Sequence, residues 1–369
     1  MKIVIFDNAY WNILNFRKDL VKALIFNDHE IIAVAPKSEK FQADLEEIGI
    51  KCVPINFKVN GVNPLSDILL CVRFFIFFLK SPKIDVVLTY TIKPTLYVTL
   101  VAKLFGIKVI NNISGLGSIF INKSVITKLV LIFYRLVFSL SDWIFFQNIH
   151  DLEYFKEKNF LKLNYSVIPG SGVNLESFKI KRKNNLGKKF LFVGRIMGEK
   201  GIRELIAAAQ ELSKEFLDLE FYFVGEIGYN NFSSIPILEV DNWKISNSNF
   251  YFLGKVSNIK EFYEAADIMV LPSYREGLSK SLIEASAMSL PIITTDVPGC
   301  SDVVIDRENG LLVKVRSSSD LLEKMRTMIM MDEMDRIKMG NLGRQFALEK
   351  FDVQLVINSY LKVLKIYQK

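Results

Sequence analysis

Residues 271–298 read Leu271-Pro272-Ser273-Tyr274-Arg275-Glu276-Gly277-Leu278-Ser279-Lys280-Ser281-Leu282-Ile283-Glu284-Ala285-Ser286-Ala287-Met288-Ser289-Leu290-Pro291-Ile292-Ile293-Thr294-Thr295-Asp296-Val297-Pro298. The stretch opens at the end of a buried strand, because Asp267 to Leu271 is a short apolar run stopped by Pro272. Ser279 then offers a side-chain oxygen as a helix N-cap, and a helix is predicted to about Ser289. In the turn between strand and helix stands Glu276-Gly277-Leu278-Ser279. Backbone N–H groups at a helix N-terminus beside a carboxylate form an arrangement that receives a phosphate group. A second carboxylate, Glu284, follows one turn into the helix, on a face turned back toward the same crevice.

Outward from this unit the pattern repeats. Lys2–Phe6, Glu30–Ala35, Lys51–Ile55, Asp85–Thr89, Lys108–Asn112 and Trp143–Gln147 read as strands, and so do Phe190–Gly194, Glu220–Gly225, Phe250–Gly254 and Pro291–Thr295. Helical periodicity fills the gaps, beginning with Asn15–Phe26. Strand alternating with helix means an α/β fold with parallel, doubly wound sheets. The chain has 369 residues, which fits two domains of roughly 170 residues each better than one core. The Pro, Gly and Ser of residues 169–172 and the polar, basic Lys179–Lys189 put the boundary nearby. The expected domains are 1–172 and 173–352, with the amphipathic helix 353–369 crossing back to the first.

In such sheets ligands bind at the carboxyl ends of the strands. The functional edge of the first half is therefore expected in the loops 8–12, 90–94 and 113–118. In the second half, Gly194-Arg195-Ile196-Met197-Gly198-Glu199-Lys200-Gly201 follows a strand and precedes a helix predicted over Ile202–Lys214. Two cations there, Arg195 and Lys200, can neutralise a diphosphate, although charges in a polar loop are also ordinary surface. Gly115-Leu116-Gly117-Ser118 is no dinucleotide fingerprint, since it follows a late strand and Phe120 stands where the third glycine should be. Its glycines serve either a tight turn or a loop that lets substrate approach the backbone.

Composition narrows the partners. Half of the residues are hydrophobic and 24% are charged, a globular balance. Cys52, Cys71 and Cys300 have no metal-ligand spacing, so neither zinc nor a disulfide framework is indicated and a reducing cytoplasm is expected. The first residues enter a strand at once, which leaves no room for a signal peptide. Apolar runs near 69–79 and 129–140 are broken by Arg73 and Arg135, and no transmembrane segment is expected. The net charge of +7 is concentrated between Lys58 and Ser141, where ten basic residues face only Asp67 and Asp85. These cations lie among the most apolar helices, which fits a surface resting on anionic lipid. A buried helix pair is the plain alternative, and nucleic acid is disfavoured because no aromatic-interleaved platform accompanies the charge.

Glu276-Gly277 and Glu284-Ala285 resemble the paired-glutamate signature of the retaining GT-B glycosyltransferases of family 4. Asn111–Ser118, Phe145–Asn148 and Ile168–Asn174 resemble its branch that builds capsule, O-antigen and undecaprenyl-diphosphate-linked glycans, and are similar to bacillosaminyl-diphospho-undecaprenol galactosaminyltransferases. The resemblance implies two Rossmann-like domains facing a central cleft. It implies a UDP-sugar donor on the second domain, held by Gly194, Arg195, Lys200, Glu276, Gly277, Leu278, Ser279 and Glu284. Glu284 would grip the ribose, Arg195 and Lys200 would clamp the diphosphate, and Glu276 would lie beside the sugar; Glu276, Arg195 and Lys200 are the catalytic candidates. A polyprenyl-diphosphate-linked acceptor would meet Asn12, Arg17, Ser114, Gly115 and Gly117 on the first domain. The reaction would transfer a hexose or N-acetylhexosamine on the inner face of a bacterial membrane. No cofactor is implied, and no metal is expected, since protein cations stand at the diphosphate and the chain has no Asp-x-Asp pair.

Two positions depart from the family pattern. Its active-site histidine has no counterpart, His29 and His150 both being expected in structural roles, and Asn174 stands where an acid is common. An epimerase or hydrolase using the same donor site, or a non-catalytic nucleotide-sugar-binding scaffold, would share these features.

Overall fold

The computed structural model describes residues 1–59, 63–81, 83–116, 125–162, 164–178, 186–228 and 233–368. Gly117, expected on the acceptor side, lies outside them, as do Ser118, Phe120 and Lys123. The chain forms two units, Met1–Gly172 with Val353–Lys369, and Val173–Asp352.

The first unit runs β1 (Lys2–Phe6), α1 (Tyr10–Phe26), β2 (Glu30–Ala35), α2 (Glu39–Glu46), β3 (Lys51–Pro54), α3 (Pro64–Lys80), β4 (Val86–Tyr90), a five-residue π turn into α4 (Thr99–Leu104), β5 (Lys108–Ile113), α5 (Val125–Leu140), β6 (Trp143–Phe146), α6 (Ile149–Glu157) and β7 (Tyr165–Val167). Its seven strands are all parallel, in the order β3-β2-β1-β4-β5-β6-β7. Successive residues of β1 point to opposite faces. Ile3 and Ile5 pack on one side and Val4 and Phe6 on the other, in separate clusters of buried side chains. Both faces are covered, so the central strands are nearly continuous apolar runs, as in residues 3–6 of β1 and 31–35 of β2.

The second unit runs β8 (Lys189–Val193), α7 (Ile202–Glu215), β9 (Glu220–Val224), α8 (Ile237–Ser246), β10 (Phe250–Gly254), α9 (Ile259–Ala265), β11 (Ile268–Leu271), α10 (Lys280–Ala287), β12 (Ile292–Thr295), β13 (Gly310–Val313), α11 (Ser318–Met330) and α12 (Glu333–Lys350). Six parallel strands follow the order β10-β9-β8-β11-β12-β13. The last helix, α13 (Val353–Tyr367), belongs to the first unit, where it packs against α1. Both sheets thus reverse direction beside their first strand, between β1 and β4 and between β8 and β11. Connections leave such a point toward opposite faces and open a crevice at the carboxyl edge.

Four differences from the sequence reading have local causes. Helix α1 begins at Tyr10 rather than Asn15, so Asn12 is helical and not in the loop 8–12, and Arg17, expected on an acceptor-side loop, also lies within the helix. The strands β7 and β13 were not foreseen; at three and four residues they are too short to carry a pattern. Helix α10 stops at Ala287, and Ser289 takes a φ of 54° that ends any continuation. Ser279 occupies the N-cap position but its side chain makes no capping hydrogen bond, lying 3.3 Å from Ser281 Oγ instead.

Helix α12 meets α10 through Gly340. A Cβ there would stand 2.0 Å from the carbonyl oxygen of Ser289. Gly340→Ala would gain about 1 kcal/mol in helix propensity. The backbone clash should outweigh this, so that urea unfolding shows a net loss of about 1–3 kcal/mol; a raised midpoint would contradict this packing.

Candidate functional site

The site in the second unit is built at the β8/β11 crossing. The loop after β8 and the loop after β11 press together with almost no space between them. Gly201 has φ +70°, and a Cβ there would meet the carbonyl oxygen of Pro272 at 2.0 Å. Tyr274 donates its N–H to Glu199 O at 2.8 Å, and its hydroxyl donates to Glu204 at 2.6 Å. This approach delivers Lys200 onto Glu276, with which it forms an ion pair whose two side chains are 15% and 14% exposed.

Glu276 is in turn held by the loop after β12. Its N–H donates to Pro298 O at 3.1 Å, and Ser279 N–H donates to Gly299 O at 3.0 Å. Gly299 has φ +81°, and a Cβ there would lie 2.5 Å from the Glu276 carbonyl oxygen. Cys300 is buried beside this turn; burial, with the Glu276 charge adding to it, pushes its thiol up to about 12. Three loops thus fix one carboxylate.

Glu284 belongs to a second cluster. It is buried in α10, accepts a hydrogen bond from Tyr263 Oη at 3.0 Å and lies 3.6 Å from Lys280 Nζ. Burial raises its carboxyl above the ordinary range, while Lys280 and Tyr263 oppose the shift. Arg195 is exposed in the loop after β8, and Gly194 donates its N–H to Val224 O at 2.9 Å. Among the expected donor residues the structure therefore joins Lys200 to Glu276 and gives Glu284 partners of its own. Tyr263, Lys280 and Gly299 were not anticipated; Gly299, following Pro298, carried the one local signal, a turn.

The first unit has a polar cluster at its own crossing, between β1 and β4. Asp7, just past β1, is 2% exposed and accepts from Asn8 N–H at 2.6 Å and Asn12 Nδ2 at 2.7 Å. Burial raises its carboxyl to about 6, against the lowering effects of Asn12 and of the Arg17 charge. Arg17 lies over the Tyr90 ring, 4.2 Å from its centroid. Tyr90 Oη donates to Tyr360 Oη at 3.0 Å, which also accepts from Asn112 Nδ2 at 2.8 Å. Tyr90 opens the loop 90–94 expected at the functional edge, whereas Asp7 and Tyr360 went unnoticed in the sequence, where Asp7 has only its place after a strand as a signal. Ser114 and Gly115 follow β5, and Gly115 has φ 106°. His29 is buried before β2, 3.3 Å from the N-terminal amine, and His150 is exposed in α6. Asn174 caps a short turn, accepting from Ser177 N–H at 3.2 Å.

Two doubly wound parallel units of this topology make up the GT-B fold of glycosyltransferases. Sucrose-phosphate synthase from Thermosynechococcus elongatus is similar over 99% of this chain and 98% of its own, at 16% identity and a TM-score of 0.80. The HepE protein of Anabaena, solved in complex with UDP-glucose, is similar over 99% of both chains at 15% identity and a TM-score of 0.78. Residues 174–346, within the second unit, match the family described as Glycosyl transferases group 1, and the chain is a glycosyltransferase that carries this domain. In sequence it is 28% identical to the N,N'-diacetylbacillosaminyl-diphospho-undecaprenol alpha-1,3-N-acetylgalactosaminyltransferase of Campylobacter jejuni, across 98% of each protein. It is 30% identical to the capsular polysaccharide biosynthesis glycosyltransferase CapM of Staphylococcus aureus, across 50% of each.

The Asp7 shift has a stability consequence. A folded-state value of about 6, above the ordinary 3.8, means that the native protein holds this proton more tightly than the unfolded chain. The stabilisation is complete below about 3.8 and is lost as pH rises through about 6. Asp7→Asn should therefore be more stable than wild type at pH 8, by up to ~3 kcal/mol, with the difference vanishing near pH 4. Urea unfolding at the two pH values checks this; equal stabilities at pH 8 would refute it.

Proposed function

We propose that the chain is a retaining, metal-independent transferase that moves a hexose or N-acetylhexosamine from a UDP-sugar to a polyprenyl-diphosphate-linked saccharide in bacterial glycan assembly. The second unit holds the donor and the first the acceptor. The observation that carries the proposal is the Lys200–Glu276 pair at the β8/β11 crossing, where a cation and a carboxylate meet in a largely dry site. Cleaving the sugar–phosphate bond develops negative charge on the diphosphate and positive charge on the ring. Lys200 transfers its attraction from Glu276 to the diphosphate, Arg195 adds a second cation, and the freed carboxylate faces the ring. Glu284 accepts hydrogen bonds from the ribose hydroxyls. Similarity to the Campylobacter enzyme across 98% of each protein supports a lipid-diphosphate-linked acceptor. The UDP-glucose complex of HepE supports a UDP-sugar donor.

A membrane-facing first unit supports the same acceptor. Helix α4 packs against both α3 and α5, whose outer faces expose Leu65, Ile68, Leu69, Leu79, Ile132 and Leu136. Lys93 pairs with Asp67, and Lys103 and Lys108 with Asp142, but Arg73, Lys80, Lys83, Lys128 and Arg135 remain exposed around these apolar side chains. Apolar faces rimmed by cations match an anionic lipid surface. Among the described residues no helix is long and apolar enough to cross a membrane.

Two variants separate donor binding from chemistry. Glu284→Ala should weaken UDP binding about 10- to 100-fold in a folded protein, because it removes charge-assisted hydrogen bonds. Glu276→Gln should lower turnover by roughly 100-fold, about 2.7 kcal/mol, while UDP affinity does not fall, since Lys200 is left available to the diphosphate. Calorimetric UDP titration and turnover on one preparation decide it: unchanged UDP affinity in Glu284→Ala, or surviving turnover in Glu276→Gln, would defeat the assignments.

Vesicle binding tests the membrane face. It should require acidic lipid and weaken as salt rises, because exposed charges are screened within about 8 Å at physiological ionic strength. Equal binding to neutral vesicles would rule this face out as an electrostatic contact.

A further inference from the structure

Arg17 stands at the first unit's β1/β4 crossing, near enough to Asp7 for its charge to act on that carboxyl, yet among the described residues it has no ion-pair or hydrogen-bond partner. It lies on α1 over the ring of Tyr90, the last residue of β4, and only 5% of the residue is exposed. Its Nε is sealed from solvent without a hydrogen-bond partner. Among the described residues the guanidinium makes no ion pair or hydrogen bond, and the Tyr90 ring at 4.2 Å is its recorded neighbour.

The polar groups nearby are occupied otherwise. Asp7 Oδ1 is taken by Asn8 and Asn12, and the hydroxyls of Tyr90 and Tyr360 bond to each other and to Asn112. A guanidinium carries five N–H donors and stays charged, so burying it without an acceptor is costly. The Tyr90 ring offsets part of this cost and holds the guanidinium plane, yet a π face accepts no in-plane hydrogen bond. Among the described residues no acceptor meets the in-plane fork, the direction in which arginine takes a phosphate bidentately. The place is also right, since the crossing of a doubly wound sheet is where such units bind ligands.

We propose that Arg17 is an anion-binding residue that receives a phosphoryl group at the β1/β4 crossing. This rests on the assignment of the acceptor to the first unit, and it names the chemical group held there, one phosphate of a diphosphate. Asn12 orders the entrance through Asp7 and Asn8, to both of which its Nδ2 is hydrogen-bonded.

The test is calorimetric titration of the full-length protein with inorganic pyrophosphate at saturating UDP, so that the second unit's diphosphate site is already filled. Wild type should bind pyrophosphate, Arg17→Gln should lose about 10- to 100-fold in affinity, and Arg17→Lys, which keeps charge without the fork, should fall between. UDP affinity should be the same in all three. A parallel titration with farnesyl diphosphate identifies the source of the phosphate: tighter, Arg17-dependent binding points to a prenyl-linked acceptor, and equal binding points to free diphosphate. Undiminished pyrophosphate affinity in a folded Arg17→Gln variant, or no pyrophosphate binding by wild type, overturns the inference. Should the variants not fold, the arginine Nε–H resonances of wild type carry the test. One solvent-shielded resonance must shift on adding pyrophosphate, and none shifting overturns the inference. Absence of UDP binding by wild type would instead defeat the donor assignment and leave the Arg17 result standing on its own.

Discussion

The carbonyl oxygen of Pro272 occupies the space where a side chain on Gly201 would begin, and the Lys200–Glu276 site depends on that contact. Two parallel strands, β8 and β11, are adjacent although a long stretch of chain separates them, and their following loops leave the sheet at the same edge. Only a residue without Cβ, at φ +70°, lets the first loop lie on the backbone of the second. Gly299 repeats the device against Glu276 from the other side. Backbone contacts therefore position the two charged side chains, which is why Lys200 and Glu276 meet in a defined geometry rather than as two mobile surface groups.

Burying such charges is expensive, and each unit handles the cost differently. Lys200 and Glu276 neutralise each other, an arrangement that seldom gains net stability over an apolar pair and leaves both groups available to a charged ligand. Glu284 and Asp7 respond by protonating more readily, because burial disfavours their charged forms. Arg17 cannot shed its charge and rests on an aromatic ring. All of these groups except Glu284 stand at the crossing of a sheet, and Glu284 lies in the helix that follows one. The outer faces of α3 and α5 are the apolar counterpart: large side chains left in solvent beside exposed cations, which a packed core would have covered.

The sequence by itself determined the elements and their order. Strand and helix periods are local properties, so the α/β alternation, the parallel sheets and eleven of the thirteen described strands could be read residue by residue, with ends displaced by one or two positions. The paired glutamates and the Arg195 to Lys200 loop were legible for the same reason, as short spacings following a strand. Strands of three or four residues and the true start of α1 were not, since too few residues carry a pattern there. Tertiary structure alone decided which charges meet. Lys200 and Glu276 are 76 positions apart, Tyr90 and Tyr360 are 270 apart, and Asp7 became a shifted acid only because the sheet around it is closed on both faces. Side-chain periodicity reports burial within one element, whereas the partner of a buried charge depends on which strands lie side by side and how closely their loops approach.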